Sequence, residues 1–128
     1  MTTTLGRVVV LVDDQDAALA FYRDALGFET LHDAEAGGLR YLHVGPPGGG
    51  TGVWLLPADG DGDRALVGRQ AGDHPFLVLY VDDLDAARER LVRHGVELFN
   101  ERQDDDSRSL QFRDVAGNVL VAAQLSAG

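Results

Sequence analysis

The sequence contains no cysteine and no lysine. Without cysteine there are no disulfides, no thiolate metal ligands and no thiol nucleophile. Without lysine there is no Schiff-base chemistry on a lysine side chain, and all 11 basic residues are arginine. Any binding or reaction site must therefore be built from other side chains.

Long apolar runs and excess positive charge are also missing. No stretch approaches the length of a membrane span, and the polar residues 1–4 are unlike a signal peptide, so we expect a cytoplasmic protein. The formal net charge of -10 disfavours nucleic acid and anionic membranes as partners. With 128 residues, 45% of them hydrophobic, the chain has an ordinary balance for one globular domain.

An internal repeat organises the chain. Residues 12–18 (VDDQDAA) match residues 81–87 (VDDLDAA) at six of seven positions, with an offset of 69. Each copy continues with a helical pattern, then a glycine (Gly27 or Gly95), then an apolar run. Self-similarity at a fixed offset indicates a duplicated supersecondary unit, so the sequence predicts two copies of one module.

Each copy predicts one strand, one helix and three further strands. Residues 8–12 and 77–81 are apolar runs typical of strands. Asp14 and Asp83 are predicted to cap the two helices, which end at Gly27 and Gly95. This pattern predicts an α+β fold of two tandem βαβββ modules, with the further strands over residues 28–31, 39–44, 52–56, 96–101, 109–113 and 119–125.

The predicted organisation is a single domain, residues 1–128, made of module 1–58, linker 59–72 and module 73–128. Residues 59–63 (DGDGD) predict a flexible acidic linker. A calcium loop is the alternative interpretation, but such a loop normally needs a distal glutamate, which is missing here.

Two segments resemble the vicinal oxygen chelate superfamily, which includes glyoxalase I, extradiol dioxygenases, fosfomycin resistance proteins and bleomycin resistance proteins. They are residues 21–28 (FYRDALGF) and residues 112–118 (FRDVAGN), where Val115 replaces the family's usual proline. The resemblance implies that the modules form a curved, partly open, barrel-like sheet with helices outside. It does not fix an activity, because the superfamily carries many chemistries on one scaffold.

The resemblance also implies where metal ligands would stand. Metal-dependent members use His or Gln near the start of each module's first strand and Glu on each last strand, and they bind an ion such as Zn, Ni, Mn or Fe. The corresponding residues here are Arg7, Phe76, Val121 and either Trp54 or Leu55. None of these side chains binds a metal, and a permanently cationic arginine repels one. We therefore predict no metal cofactor.

Strand alternation predicts which side chains line the cavity. An apolar, aromatic pocket with a few fixed polar groups is typical of a small-molecule site. Its aromatic rings could stack on a planar ligand, and Arg7 could anchor a carboxylate. We predict no catalytic residue, and the predicted ligand-binding residues are Arg7, Val9, His43, Trp54, His74, Phe76, Val78, Tyr80 and Val121.

Three functions remain open from the sequence. The first is a metal-independent protein that binds or sequesters an aromatic ligand such as an antibiotic or metabolite. Similarity to the bleomycin resistance proteins implies that it is a homodimer with pockets at the subunit interface. The second is a divalent-metal-dependent lyase, isomerase or dioxygenase with atypical ligands, for which His43 and His74 are the candidates. The third is a structural or regulatory module whose pocket is filled by its own side chains.

Overall fold

The computed structural model describes residues 1–126 and contains the predicted order of elements in both modules. No helix among these residues is long and apolar enough to cross a membrane. The elements are β1 (Arg7–Val12), α1 (Gln15–Asp24), β2 (Glu29–Ala36), β3 (Leu39–Gly45), β4 (Gly52–Pro57), α2 (Gly60–Leu66), β5 (Pro75–Tyr80), α3 (Leu84–Arg93), β6 (Leu98–Gln103), β7 (Ser107–Arg113) and β8 (Val119–Leu125).

Each module forms one four-stranded sheet with the same topology. The strand orders are β1-β4-β3-β2 and β5-β8-β7-β6. In both sheets the first strand runs parallel to the last, and the other neighbours are antiparallel. The two βαβββ modules and the α+β class are thus confirmed, and the sheets do not close into a barrel.

The helix ends follow the duplicated sequence signals. The Asp14 carboxylate accepts a hydrogen bond from the Ala17 N–H (3.0 Å), and Asp83 accepts one from Ala86 (3.0 Å). These contacts satisfy an N–H group that the first helical turn leaves free. Both predicted N-caps are confirmed, and Gly27 follows α1 with φ 72°, a conformation that favours glycine.

The same ion pair links strand and helix in both modules. Arg40 of β3 contacts Asp16 in the first turn of α1 at 2.7 Å, and Arg108 of β7 contacts Asp85 in the first turn of α3 at 2.7 Å. Because both pairs are largely exposed, each contributes little to stability. The two equivalent ion pairs show that the duplication extends to side-chain contacts.

Several strand boundaries differ from the sequence prediction, most of them by one or two residues. The strand predicted over residues 28–31 runs from Glu29 to Ala36, because its pairing with β3 continues to the turn at Gly37 and Gly38. Both glycines have positive φ (60° and 80°), as a two-residue hairpin turn requires. The strand predicted from residue 96 begins at Leu98.

The predicted flexible linker is wrong for residues 60–66, which form helix α2. The Asp59 N–H donates to Asp63 Oδ2 at 2.9 Å. Asp61 and Asp63 both fall in the first turn, where negative charge is favourable next to the helix dipole. The acidic residues therefore begin a helix.

The segment after α2 is held against both modules. The Gln70 side chain accepts from the Leu11 N–H (2.8 Å) and donates to the Val9 carbonyl (3.1 Å). It thereby covers the free edge of β1, which would otherwise offer unpaired backbone groups. Gly68 has φ 75°, and a Cβ there would overlap the Ala116 carbonyl oxygen of the second module, so only glycine fits.

A buried carboxylate joins the two modules within one core. Asp114, in the turn between β7 and β8, is 5% exposed, and Tyr22 of α1 is 1% exposed. The Tyr22 hydroxyl donates to Asp114 Oδ2 at 2.7 Å. Burial, and next the charge of Asp114, raise the pKa of Tyr22 well above its usual value, so the hydroxyl keeps the proton that it donates.

We expect Tyr22→Phe to lower the free energy of unfolding by about 1–3 kcal/mol, because it removes a hydrogen bond to a buried charge. Chemical denaturation followed by circular dichroism measures this change. The control is Tyr80→Phe, because Tyr80 is 72% exposed and its hydroxyl should contribute no more than about 0.5 kcal/mol. Equal effects of the two substitutions would contradict a role for the Tyr22–Asp114 bond.

Candidate functional site

The first sheet has one face packed against the core and one face turned away from it. Val10, Leu42 and Leu55 belong to the buried core. By alternation, their strand neighbours point to the opposite side, which we call the open face. It is formed by Arg7 and Val9 of β1, Tyr41 and His43 of β3, and Trp54 of β4.

The strand register brings the open-face side chains together. Trp54 of β4 lies opposite Val9 of β1 and opposite His43 of β3. The register partner of Arg7 is Gly52, which has no side chain to obstruct the guanidinium. Arg7 therefore reaches across β4, and its Nε donates to His43 Nδ1 at 3.1 Å.

Arg7 is also fixed by two backbone carbonyls. Its Nη1 donates to the Gly6 oxygen at 2.8 Å and to the Gly50 oxygen at 3.3 Å. These contacts hold the guanidinium in one orientation beside the imidazole of His43. The predicted anchor for a ligand carboxylate is thus partly engaged by the protein itself.

Aromatic rings surround His43 on the open face. Tyr41 stacks on Trp54 with a centroid distance of 5.7 Å and an interplanar angle of 28°. His43 lies 5.6 Å from Trp54 and 5.2 Å from His32, between ring centroids. A surface of adjoining rings can stack on a planar ligand. The open face therefore has a surface of aromatic rings on which a planar ligand can bind.

The environment of His43 disfavours the charged form of its imidazole. Burial is the main cause of a lowered pKa at His43, and the positive charge of Arg7 and then that of His32 add to it. The same guanidinium opposes a metal cation at this imidazole. Among residues 1–126, no group of three or more His, Asp or Glu side chains is arranged to hold a metal ion.

The remaining predicted site residues belong to the second module. Val78 and Tyr80 of β5 are exposed, and Val78 lies opposite the partly buried Val121 of β8. Phe76 is partly buried against the core. His74 was expected on the same strand face, but it is exposed in the turn before β5, where its N–H donates to the Ala71 carbonyl at 3.2 Å.

A cavity of about 510 Å³ adjoins β5 and contains residues from both modules. Its lining is mainly apolar, and Arg90 adds a charged group. Val78 and Tyr80 are the predicted site residues that line it, together with Leu5, Val8, Leu26, Phe28, Pro47 and Leu91. Of the predicted residues, the structure therefore places Arg7, Val9, His43 and Trp54 on the open face and two at this cavity. The other three, His74, Phe76 and Val121, are in neither group.

Tyr41 is an open-face residue that the sequence prediction missed. It precedes His43 by two positions on β3, so strand alternation places both side chains on one face. That periodicity was the available signal. The sequence does not indicate the contact between Tyr41 and Trp54, because this contact depends on the register between β3 and β4.

Comparisons with known proteins agree on one family. A family model described as the Glyoxalase/Bleomycin resistance protein/Dioxygenase superfamily matches residues 4–121. An uncharacterized protein of Shewanella frigidimarina (strain NCIMB 400) is 28% identical over 98% of this chain and 96% of its own length.

Two solved structures are similar along nearly the whole chain. UcmS2 has a TM-score of 0.83 and 31% identity, over 96% of this chain and 98% of its own. TnmS3, described as an antibiotic binding protein from Streptomyces sp. CB03234, has a TM-score of 0.79 and 28% identity, over 98% of both chains.

We expect Arg7→Met to raise the pKa of His43, because the substitution removes a neighbouring positive charge while the burial remains. Histidine-detected NMR titration measures the change. Arg64→Met, which alters an exposed arginine of α2, should leave the pKa of His43 unchanged. A pKa that stays constant in Arg7→Met would mean that the contact between these two side chains is not maintained in solution.

Proposed function

Because the chain belongs to the Glyoxalase/Bleomycin resistance protein/Dioxygenase superfamily, we propose that it binds or sequesters an aromatic small molecule, such as an antibiotic or metabolite, without a metal. The observation that carries this proposal is the open face, where Tyr41, His43 and Trp54 form adjoining rings beside Arg7. The likeness to TnmS3, an antibiotic binding protein, supports the same ligand class.

The residues at the family's metal-ligand positions do not fit a metal. Phe76 and Val121 offer no ligand atom, and the indole N–H of Trp54 is only a donor. Arg7 is cationic and donates to His43 Nδ1, so it occupies one nitrogen of the nearest imidazole. We therefore derive no reaction step through a metal, and the proposed role is binding.

The proposed assembly is a homodimer. Leu5, Val78 and Tyr80 line the same cavity and are 68%, 57% and 72% exposed. Contiguous exposed apolar groups around a cavity are typical of an interaction surface. A second copy covering this surface would bury those side chains and complete a ligand pocket at the subunit interface.

A thermal-shift screen of aromatic antibiotics and small aromatic carboxylates tests the binding function. A ligand at about 100 times its dissociation constant should raise the melting temperature by roughly 5–10 °C, since it binds only the folded state. Trp54→Ala and Arg7→Ala should reduce the affinity for such a ligand roughly tenfold or more, because they remove the stacking surface and the group that orients His43. Circular dichroism must show that both variants remain folded.

Arg64→Ala is the matched control, because it removes an exposed guanidinium of α2 that is not part of the open face. The screen is run with and without Zn, Ni, Mn and Fe. Binding that requires one of these ions, or a chelator-sensitive activity, would contradict metal independence. A ligand whose affinity is the same in Trp54→Ala, Arg7→Ala and the unaltered protein would contradict the open face as its site.

Sedimentation velocity tests the homodimer. The unaltered chain should sediment at twice the mass of one chain, and the double variant Val78→Asp, Tyr80→Asp should sediment as a monomer, because it places two charges in an apolar contact. The exposed substitution Val92→Asp on α3 is the control, since Val92 is 52% exposed and does not line the cavity. A monomeric unaltered protein at micromolar concentration would refute the dimer.

A further inference from the structure

Two donor groups on the open face have no partner among residues 1–126. They are Nε2 of His43 and Nε1 of Trp54, and both atoms are buried. Buried polar groups in folded proteins are nearly always hydrogen-bonded, so an unpaired one calls for an explanation. Here two of them occur on rings whose centroids are 5.6 Å apart.

The contact with Arg7 determines which nitrogen of His43 carries the proton. An arginine Nε is always a donor, so His43 Nδ1, which receives it at 3.1 Å, must be the acceptor. In the neutral imidazole the proton is then on Nε2. The unpaired Nε2 is therefore an N–H donor, like the indole nitrogen of Trp54.

The unpaired groups thus have one polarity. The indole of Trp54 can only donate, His43 Nε2 donates in this tautomer, and Arg7 adds a permanent positive charge next to them. A ligand cation or ligand N–H group would face three groups of the wrong polarity. A buried donor without an acceptor is unfavourable. A ligand oxygen would accept hydrogen bonds from these donors and remove that cost.

We propose that His43 and Trp54 form a donor subsite for the carbonyl or carboxylate oxygen of an aromatic ligand, with Arg7 as the residue that positions His43. This rests on the proposed binding function and names its ligand class. Both nitrogens are shielded from solvent, so a ligand oxygen pairs with them only if the ligand displaces part of the surrounding surface. The net charge of -10 favours cationic ligands for the protein as a whole. The guanidinium of Arg7 beside His43 favours an anionic or oxygen-bearing group at this subsite.

Four naphthalene probes with different substituents test the subsite. They are 2-naphthoate, 2-acetylnaphthalene, 2-methylnaphthalene and 2-naphthylmethylammonium. We expect the two oxygen-bearing probes to bind roughly three- to tenfold more tightly than the methyl probe for each hydrogen bond gained, and the ammonium probe to bind most weakly. The first two probes distinguish a charged from a neutral oxygen.

The single tryptophan gives a direct spectroscopic readout. In a ¹H–¹⁵N spectrum the chain has one indole N–H signal, which should move downfield when an oxygen-bearing probe binds, and should not do so with 2-methylnaphthalene. Trp54→Phe keeps an aromatic ring but removes the donor. It should weaken 2-naphthoate and 2-acetylnaphthalene roughly three- to tenfold while leaving 2-methylnaphthalene nearly unchanged.

The positioning role of Arg7 is tested with a measurement that a loss of structure alone would not change. In Arg7→Met the ¹⁵N signals of His43 should show loss of the single Nε2–H tautomer, and the preference for oxygen-bearing probes should decrease. Arg64→Met is the control, because it removes an exposed guanidinium of α2 that is not part of the open face and keeps the rings, both donors and Arg7. Its preference among the four probes should match that of the unaltered protein.

The outcomes separate this proposal from the binding function. If the probes bind without a preference for oxygen, or if Trp54→Phe keeps the preference, the donor subsite is refuted while aromatic binding stands. If none of the four probes binds the unaltered protein, both proposals are wrong. An oxygen preference that is lost in Trp54→Phe and retained in Arg64→Met supports the subsite.

Discussion

The fold depends on keeping one carboxylate, Asp114, satisfied away from water. Its Oδ1 accepts the backbone N–H groups of Ala116, Gly117 and Asn118, and its Oδ2 accepts the Asn118 side chain and the Tyr22 hydroxyl. A buried charge without such partners would be strongly unfavourable. Four of these bonds shape the turn of the second module, and the fifth comes from the first module. Closing that turn therefore also fixes how the modules pack.

The sequence predicts what is local to each module. The aspartate caps, the terminal glycines and the order of helices and strands along each module follow from short-range patterns, and the structure confirms them. The Tyr22–Asp114 bond joins residues 92 positions apart, so no local pattern indicates it. The helix Gly60–Leu66 was missed for a different reason. Its Asp-Gly alternation favours a flexible segment by composition, whereas contacts of Asp63, Gly68 and Gln70 with their neighbours hold this segment in place.

The candidate site shows the same limit. Alternation predicted that Arg7 and Val9 share a face of β1, and Trp54 was expected in the same cavity wall. These residues do lie together in the first sheet, with His43 beside Trp54. Alternation could not predict that Arg7 would bond to His43, because that contact needs the order β1-β4-β3 and a glycine at position 52. His74 was expected to lie on β5, because it stands two residues before Phe76. Instead its N–H donates to the Ala71 carbonyl, so His74 belongs to the turn that precedes β5.

The two modules keep the same framework while their open faces have diverged. Arg40–Asp16 and Arg108–Asp85 are equivalent pairs, yet Trp54 lies opposite Val9 in the first sheet whereas Val121 lies opposite Val78 in the second. The family resemblance implies a metal ligand at the position of Arg7 in metal-dependent members. Here a guanidinium covalently attached to β1 supplies positive charge at that position. Because a guanidinium is permanently charged, the proposed oxygen subsite of His43 and Trp54 lies beside a fixed positive charge.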